Sequence, residues 1–144
     1  MLTEDQVVDA VCRKLEGDGY SIEQRALATQ HGHDIVARND HGLLIIEAKG
    51  AGSSKAVTKR YGKEFSANQV FDHVAKAILK ALRIVSAGNS SAGVALPDNA
   101  SHRREIEMVA HALERVGIAV YWVDDLGDAQ VDAPLEPNAE ASDT

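Results

Sequence analysis

Asp34, Glu47 and Lys49 are the residues whose types and spacing can do chemistry together. They sit in two aliphatic runs, residues 33–38 and 42–49, separated by a tight turn at 39–42, the pattern of an antiparallel hairpin. Whether that turn has two residues or four, the register is the same: Arg38 faces Leu43, Val36 faces Ile45, and Asp34 faces Glu47. Facing side chains lie about 5 Å apart at Cβ, so two carboxylates there repel unless something compensates. Lys49, two residues past Glu47, shares their face by strand alternation and offsets part of that repulsion. A divalent cation held by Asp34, Glu47 and the backbone carbonyl of Ala48 offsets it better, and hard oxygen donors suit Mg2+ or Mn2+. The competing reading is a surface salt bridge from Lys49 to either acid. Aliphatic residues on both faces, Ile35, Leu44 and Ile46 on one and Val36, Leu43 and Ile45 on the other, indicate a doubly covered strand pair. Charges at the end of a buried sheet favour a functional cluster.

The elements that must position these residues follow from periodicity. Val7, Val8, Val11 and Leu15 recur at helical spacing over residues 3–16, with Thr3 as N-cap and Gly17 and Gly19 ending the run. Residues 20–28, 33–38 and 42–49 read as three consecutive strands. A helix over 66–85 carries the apolar stripe Val70, Val74, Ala77, Ile78, Ala81 and Val85. Its opposite side is a polar, mostly basic ridge of Gln69, His73, Lys76, Lys80 and Arg83. A strand at 92–96, a helix at 101–115 ended by Gly117, and a strand at 118–123 complete an αβββαβαβ order. The hairpin is antiparallel and the later alternation implies parallel crossovers, so an α/β fold with a mixed central sheet flanked by helices is expected.

Composition sets the frame. The 144 residues, 44% hydrophobic and 26% charged, fit one globular domain. No apolar run approaches a membrane span, and residues 1–10 lack the pattern of a signal peptide, so the cytoplasm is the expected compartment. The lone Cys12, beside Val11 and Leu15, reads as a core thiol. His31 and His33 lack the further ligands of a zinc site and read as a polar turn. A net charge of −7 argues against indiscriminate nucleic-acid binding, but it is unevenly spread. From Asp128 onward lie five acids and no base, a tail expected to pack against nothing, which divides the chain into a domain over 1–127 and a tail over 128–144. Between Glu47 and Glu64, by contrast, Lys49, Lys55, Lys59, Arg60 and Lys63 occur with no acid at all.

The segments Gly32-His33-Asp34-Ile35-Val36-Ala37 and Leu44-Ile45-Ile46-Glu47-Ala48-Lys49 resemble the D…(D/E)xK signature of the restriction endonuclease-like PD-(D/E)xK nuclease superfamily. The αβββαβ order matches its core over roughly residues 3–97, and the spacing looks most like Holliday junction resolvases and methylation-dependent restriction endonucleases. The resemblance implies phosphodiester hydrolysis with Asp34 and Glu47 holding the metal and Lys49 orienting water and stabilising the transition state. It also implies an acid on the first helix that completes the site; Glu4 shares the face of Val8, Val11 and Leu15, with Asp9 as the alternative. Gln69 resembles the helix glutamine that such nucleases place near the metal. His33 stands where a proline often precedes the Asp. Lys55, Lys59, Arg60 and Lys63, with His73 and Lys76 on the ridge, are the expected nucleic-acid contacts. The implied protein is a DNA endonuclease acting as a homodimer or with a partner protein. An RNA nuclease and a non-catalytic binding module on the same fold are the alternatives.

Overall fold

The computed structural model describes residues 1–26, 32–52 and 65–132. Thr3 starts helix α1 (Glu4–Gly17) through a capping box: its side chain accepts from the Gln6 N–H at 3.2 Å, and the Gln6 side chain accepts from the Thr3 N–H at 2.9 Å. Strands β1 (Ser21–Arg25), β2 (Ile35–Asn39) and β3 (Gly42–Ala48) follow, then the long helix α2 (Ala67–Ala87) and strand β4 (Ser91–Pro97). Helices α3 (Ala100–Glu107) and α4 (Ala110–Val116) lead to β5 (Ile118–Val123) and β6 (Ala129–Asp132).

All six strands lie in chain order across one sheet. The β1–β2–β3 pairs are antiparallel, β3–β4 and β4–β5 are parallel, and β5–β6 is antiparallel. Arg38 stands opposite Leu43 and Val36 opposite Ile45, the register that alternation around the 39–42 turn requires. This is the expected α/β architecture, an αβββαβ core with a mixed central sheet flanked by helices and an added C-terminal unit.

The sheet separates two cores. On one face α1 packs Val7, Val8, Val11 and Leu15 against Ile35, Leu44 and Ile46. On the other, α2 packs Val70, Val74, Ala77, Ala81 and Ile84 with α3 and α4 over Val94, Leu96 and Trp122. Consecutive β3 residues alternate between these layers, so Ile46 belongs to the α1 side and Ile45 to the α2 side. Cys12 is buried in the α1 core, and burial pushes its thiol up to about 11, which suits packing rather than reaction. Among the described residues no helix is long and apolar enough to cross a membrane.

Two expectations are corrected. The single helix over 101–115 is broken, because Val109, at φ −124° and ψ 4°, leaves helical space and begins α4 without a side-chain cap. The stretch from Asp128 does pack at its start: β6 pairs with β5, placing Tyr121 opposite Val131 and Val123 opposite Ala129. Ala129 and Val131 face the α1 core, and the Trp122 Nε1–H donates to Asp132 Oδ2 at 3.0 Å. Gln130 and Asp132 take the strand's exposed positions and Ala129 and Val131 the covered ones, so charge composition concealed a period-two pattern. A cut at residue 128 therefore removes an edge strand. The remaining part of the expected tail, 133–144, lies outside the described residues, as does 27–28 of the expected first strand.

In α3, His102 is 1% exposed, its Nδ1 lies 2.7 Å from Asn99 Oδ1, and its Nε2 has no partner among the described residues. Burial, with His73 adding to it, pulls its pKa down to about 4 from the ordinary 6.5. A folded value below the unfolded one means that stability is complete above pH 6.5 and is lost as pH falls from there toward 4. Between pH 7 and pH 5, urea denaturation should show the wild type losing about 2 kcal/mol more than His102→Gln. Equal losses in the two proteins would remove His102 as the origin.

Candidate active site

The cluster forms where β3 ends between α1 and α2. Asp34 immediately precedes β2, its backbone carbonyl accepting from the Ala26 N–H at 2.8 Å and its Oδ2 accepting from the Ala48 N–H at 2.8 Å. That second bond ties the acid directly to the strand that carries Glu47. Glu47 is only 3% exposed. His33 Nδ1 lies 3.4 Å from its Oε1, and Lys80 Nζ, from the ridge of α2, lies 3.9 Å from its Oε2. The Lys49 backbone N–H donates to the Ala95 carbonyl at 3.0 Å, which anchors the residue to β4 just beyond the strand.

Burial raises the Glu47 pKa, and the neighbouring Asp34 carboxylate raises it further; the His33 hydrogen bond and Lys80 work in the opposite direction. Glu4, in the first turn of α1, is pushed up to about 7 by burial and then by Asp34, with Lys49 and Lys80 opposing. Its electrostatic neighbours place it beside Asp34 and both lysines. Asp9 instead pairs with Arg25 on β1. Glu4 is thus the first-helix acid that faces the cluster.

The start of α1 is locked there by backbone. The Ala51 N–H donates to the Leu2 carbonyl at 2.8 Å, and Gly50 lies so close that a Cβ would stand 2.5 Å from the Glu4 nitrogen and 2.8 Å from the Thr3 carbonyl carbon. Only glycine fits between the end of β3 and the helix start.

The remaining expected residues divide. His73 packs against Phe65 with ring centroids 4.4 Å apart and planes tilted by 44°, and burial followed by Lys49 and Lys76 lowers its pKa, so it borders the lysine side of the cluster. Lys76 is exposed on the same helix. Gln69 is the N3 residue of a second capping box, its Oε1 accepting from the Ser66 N–H at 2.9 Å. Among the described residues no hydrogen bond or ion pair joins Gln69 to Asp34, Glu47 or Lys49, and helix capping accounts for it. Ala48 meets Asp34 through its N–H rather than its carbonyl. Lys55, Lys59, Arg60 and Lys63 lie outside the described residues. His33 and Lys80 were not singled out for the site from sequence. Lys80 lies on the recognisable basic ridge, but only the packing of α2 across β3 selects it from its neighbours. His33 follows Gly32, whose φ of +105° turns the chain before the strand begins, so strand alternation does not govern its direction.

Among the described residues no three His, Cys, Asp or Glu side chains are grouped closely enough to form a ready-made metal cage. The donor set is a pair of carboxylates with a third nearby, the kind that leaves most positions of a Mg2+ ion to water and phosphate.

The fold is of the α/β class with a mixed six-stranded sheet, and its acidic, lysine-flanked cluster lies at the end of the third strand. Among solved structures the chain is similar to an XisH family protein from Nostoc punctiforme, with 12% identity, a TM-score of 0.56, and coverage of 90% of this chain and 99% of that one. It is also similar to an fdxN element excision controlling factor protein from Anabaena variabilis (14% identity, TM-score 0.47, 91% and 99% covered). A third similar structure is Pyrococcus furiosus SfsA in complex with Ca2+ (14% identity, TM-score 0.40, 92% and 60% covered). At such identities the likeness is one of fold, and the first of the three supports it. No protein-family model and no curated protein matches the sequence.

Gly50→Ala should lower the unfolding free energy by about 1–3 kcal/mol, because backbone on both sides has to move. Gly17→Ala, where nothing lies within 4 Å of the added methyl, should cause no loss. Denaturation curves for both variants decide the matter; a Gly50→Ala protein as stable as wild type would show that the start of α1 is not locked.

Proposed function

We propose that this chain is a divalent-metal-dependent nuclease that hydrolyses DNA phosphodiester bonds, an endonuclease of the restriction or repair type. The observation that carries the reading is a buried carboxylate, Glu47, set against Asp34 with Glu4 and Lys49 close by. Like charges so placed destabilise the domain unless a cation compensates, and Lys80 at 3.9 Å from Glu47 is only a partial answer. These donors fit a hard divalent ion: Asp34 and Glu47 would hold Mg2+ or Mn2+, with the Ala48 carbonyl as a main-chain donor and Glu4 completing the site through a water or on closing in. When bound, such an ion polarises a phosphate oxygen and lowers the pKa of water.

The chain's own groups supply the rest. The Lys49 ammonium orients the attacking water and stabilises charge developing on the phosphate. The Ala48 N–H fixes the Asp34 carboxylate, and the His33 contact and Lys80 hold Glu47 in place. His73 and Lys76 lie on the side of α2 toward Lys49, where they meet the phosphates of the bound strand. Lys55, Lys59, Arg60 and Lys63 extend that contact. A homodimer brings two such sites to two strands.

Wild type, Asp34→Ala and Lys49→Ala are to be compared on linear, supercoiled, methylated and branched DNA and on RNA, with Mg2+ or Mn2+. Lys49→Ala should slow cleavage at least about 100-fold with melting temperature and DNA affinity retained, since it removes a contact made in the transition state. Undiminished cleavage by either variant would sink the assignment. Binding by wild type without any cleavage would leave a non-catalytic module, and cleavage of RNA alone would transfer the activity to that substrate.

A further inference from the structure

A cleft of about 480 Å³ opens beside Glu47 and follows the C-terminal half of α2 toward the turn before β4. Its floor is apolar, formed by Ile45 of β3 and the buried Ile84 of α2. The exposed Lys80 and Arg83 line it from α2, and Ala87 and Asn89 close the far end. Lys49 and His73 are not among its walls, whereas Gly32 and His33 are. Among the described residues Lys80 makes an ion pair with Glu47, whereas Arg83 has no ion-pair partner.

The lining has a mixed chemistry. The volume lies within the roughly 300–1,000 Å³ typical of small-ligand sites. An apolar floor suits the face of a base, a cation at the edge suits a phosphate, and the amide of Asn89 offers both a donor and an acceptor to a base edge. Glu47 borders the opening, so a strand whose phosphate lies at the acids runs directly into this space. In a continuous duplex the base faces are stacked and their edges paired, and no base reaches the floor unless it leaves the helix.

We propose that this cleft is a subsite for one unpaired nucleotide of the DNA strand next to the cleaved bond. This rests on the nuclease reading above and specifies its substrate class: DNA with a single-stranded or distorted segment rather than continuous duplex. Arg83 holds the neighbouring phosphate and Asn89 meets the base edge.

The test measures fluorescence anisotropy of a labelled short oligothymidylate and a labelled blunt duplex, both with EDTA so that nothing is cut. Wild type should bind the single strand about tenfold more tightly than the duplex. Arg83→Ala, which removes a phosphate contact, and Ala87→Leu, which fills the cleft without changing charge, should each weaken single-strand binding about tenfold and duplex binding by less than about twofold. Both positions are exposed, and matching melting temperatures confirm that the fold is kept. Equal affinity of wild type for the two probes, or unchanged single-strand affinity in both variants, overturns the subsite. Because binding is read without cleavage, a wild type that shows this preference yet never cuts overturns the nuclease reading and leaves the subsite standing.

Discussion

The carboxylate of Glu47, out of water and beside a second carboxylate, is the constraint around which this domain is organised. A buried anion is tolerated only when charges and donors converge on it. Here groups come from four directions: His33 in the turn before β2 and Lys80 from α2 ease the burial, whereas Asp34, held by the Ala48 N–H, opposes it, and Glu4 adds a third acid beside Asp34 from the first turn of α1. Each direction is a different element, so placing one side chain correctly requires the whole αβββα arrangement. The apolar cores on either side of the sheet do the packing, and this polar end is where the fold gives up stability to hold charged groups together.

The parts legible in the sequence are those governed by local period. The β2–β3 register followed from a short turn and strict alternation, which forced Val36 opposite Ile45 and brought Asp34 to the level of Glu47 and Ala48. The buried stripe of α2 followed from helical spacing, with Ile84 completing it. Glu4 lies near the acids because the face set by Val8, Val11 and Leu15 continues to it, whereas Asp9 finds Arg25 on a neighbouring strand.

What the sequence concealed depends on distant packing or on competition between local roles. Gln69 has the spacing of a site residue and equally that of a capping box with Ser66, and only coordinates choose between them. Lys80 is one of several ridge residues until the crossing of α2 over β3 selects it. The strand β6 is short and acidic, and its pairing with β5 is paid for by Val131, Ala129 and one indole hydrogen bond that no local period announces. Helix α2 also carries a third face: Phe71 and Leu79 are more than half or half exposed, at 56% and 50%, beside a buried stripe and a basic ridge.

Because the Lys49 N–H is held by Ala95 across a parallel strand pair, the lysine is secured late in folding. The hairpin of β2 and β3 joins near neighbours and can close within microseconds, roughly 1–10 μs for such a unit. Pairing of β3 with β4 must wait until all of α2 has been traversed, and contacts separated that far along the chain form slowly. On a ribosome, the two acids therefore meet while the strand that anchors the lysine is still being synthesised. The emerging polypeptide carries the acidic pair before it carries the finished cluster, and the order of synthesis itself delays the moment at which all three groups are brought together.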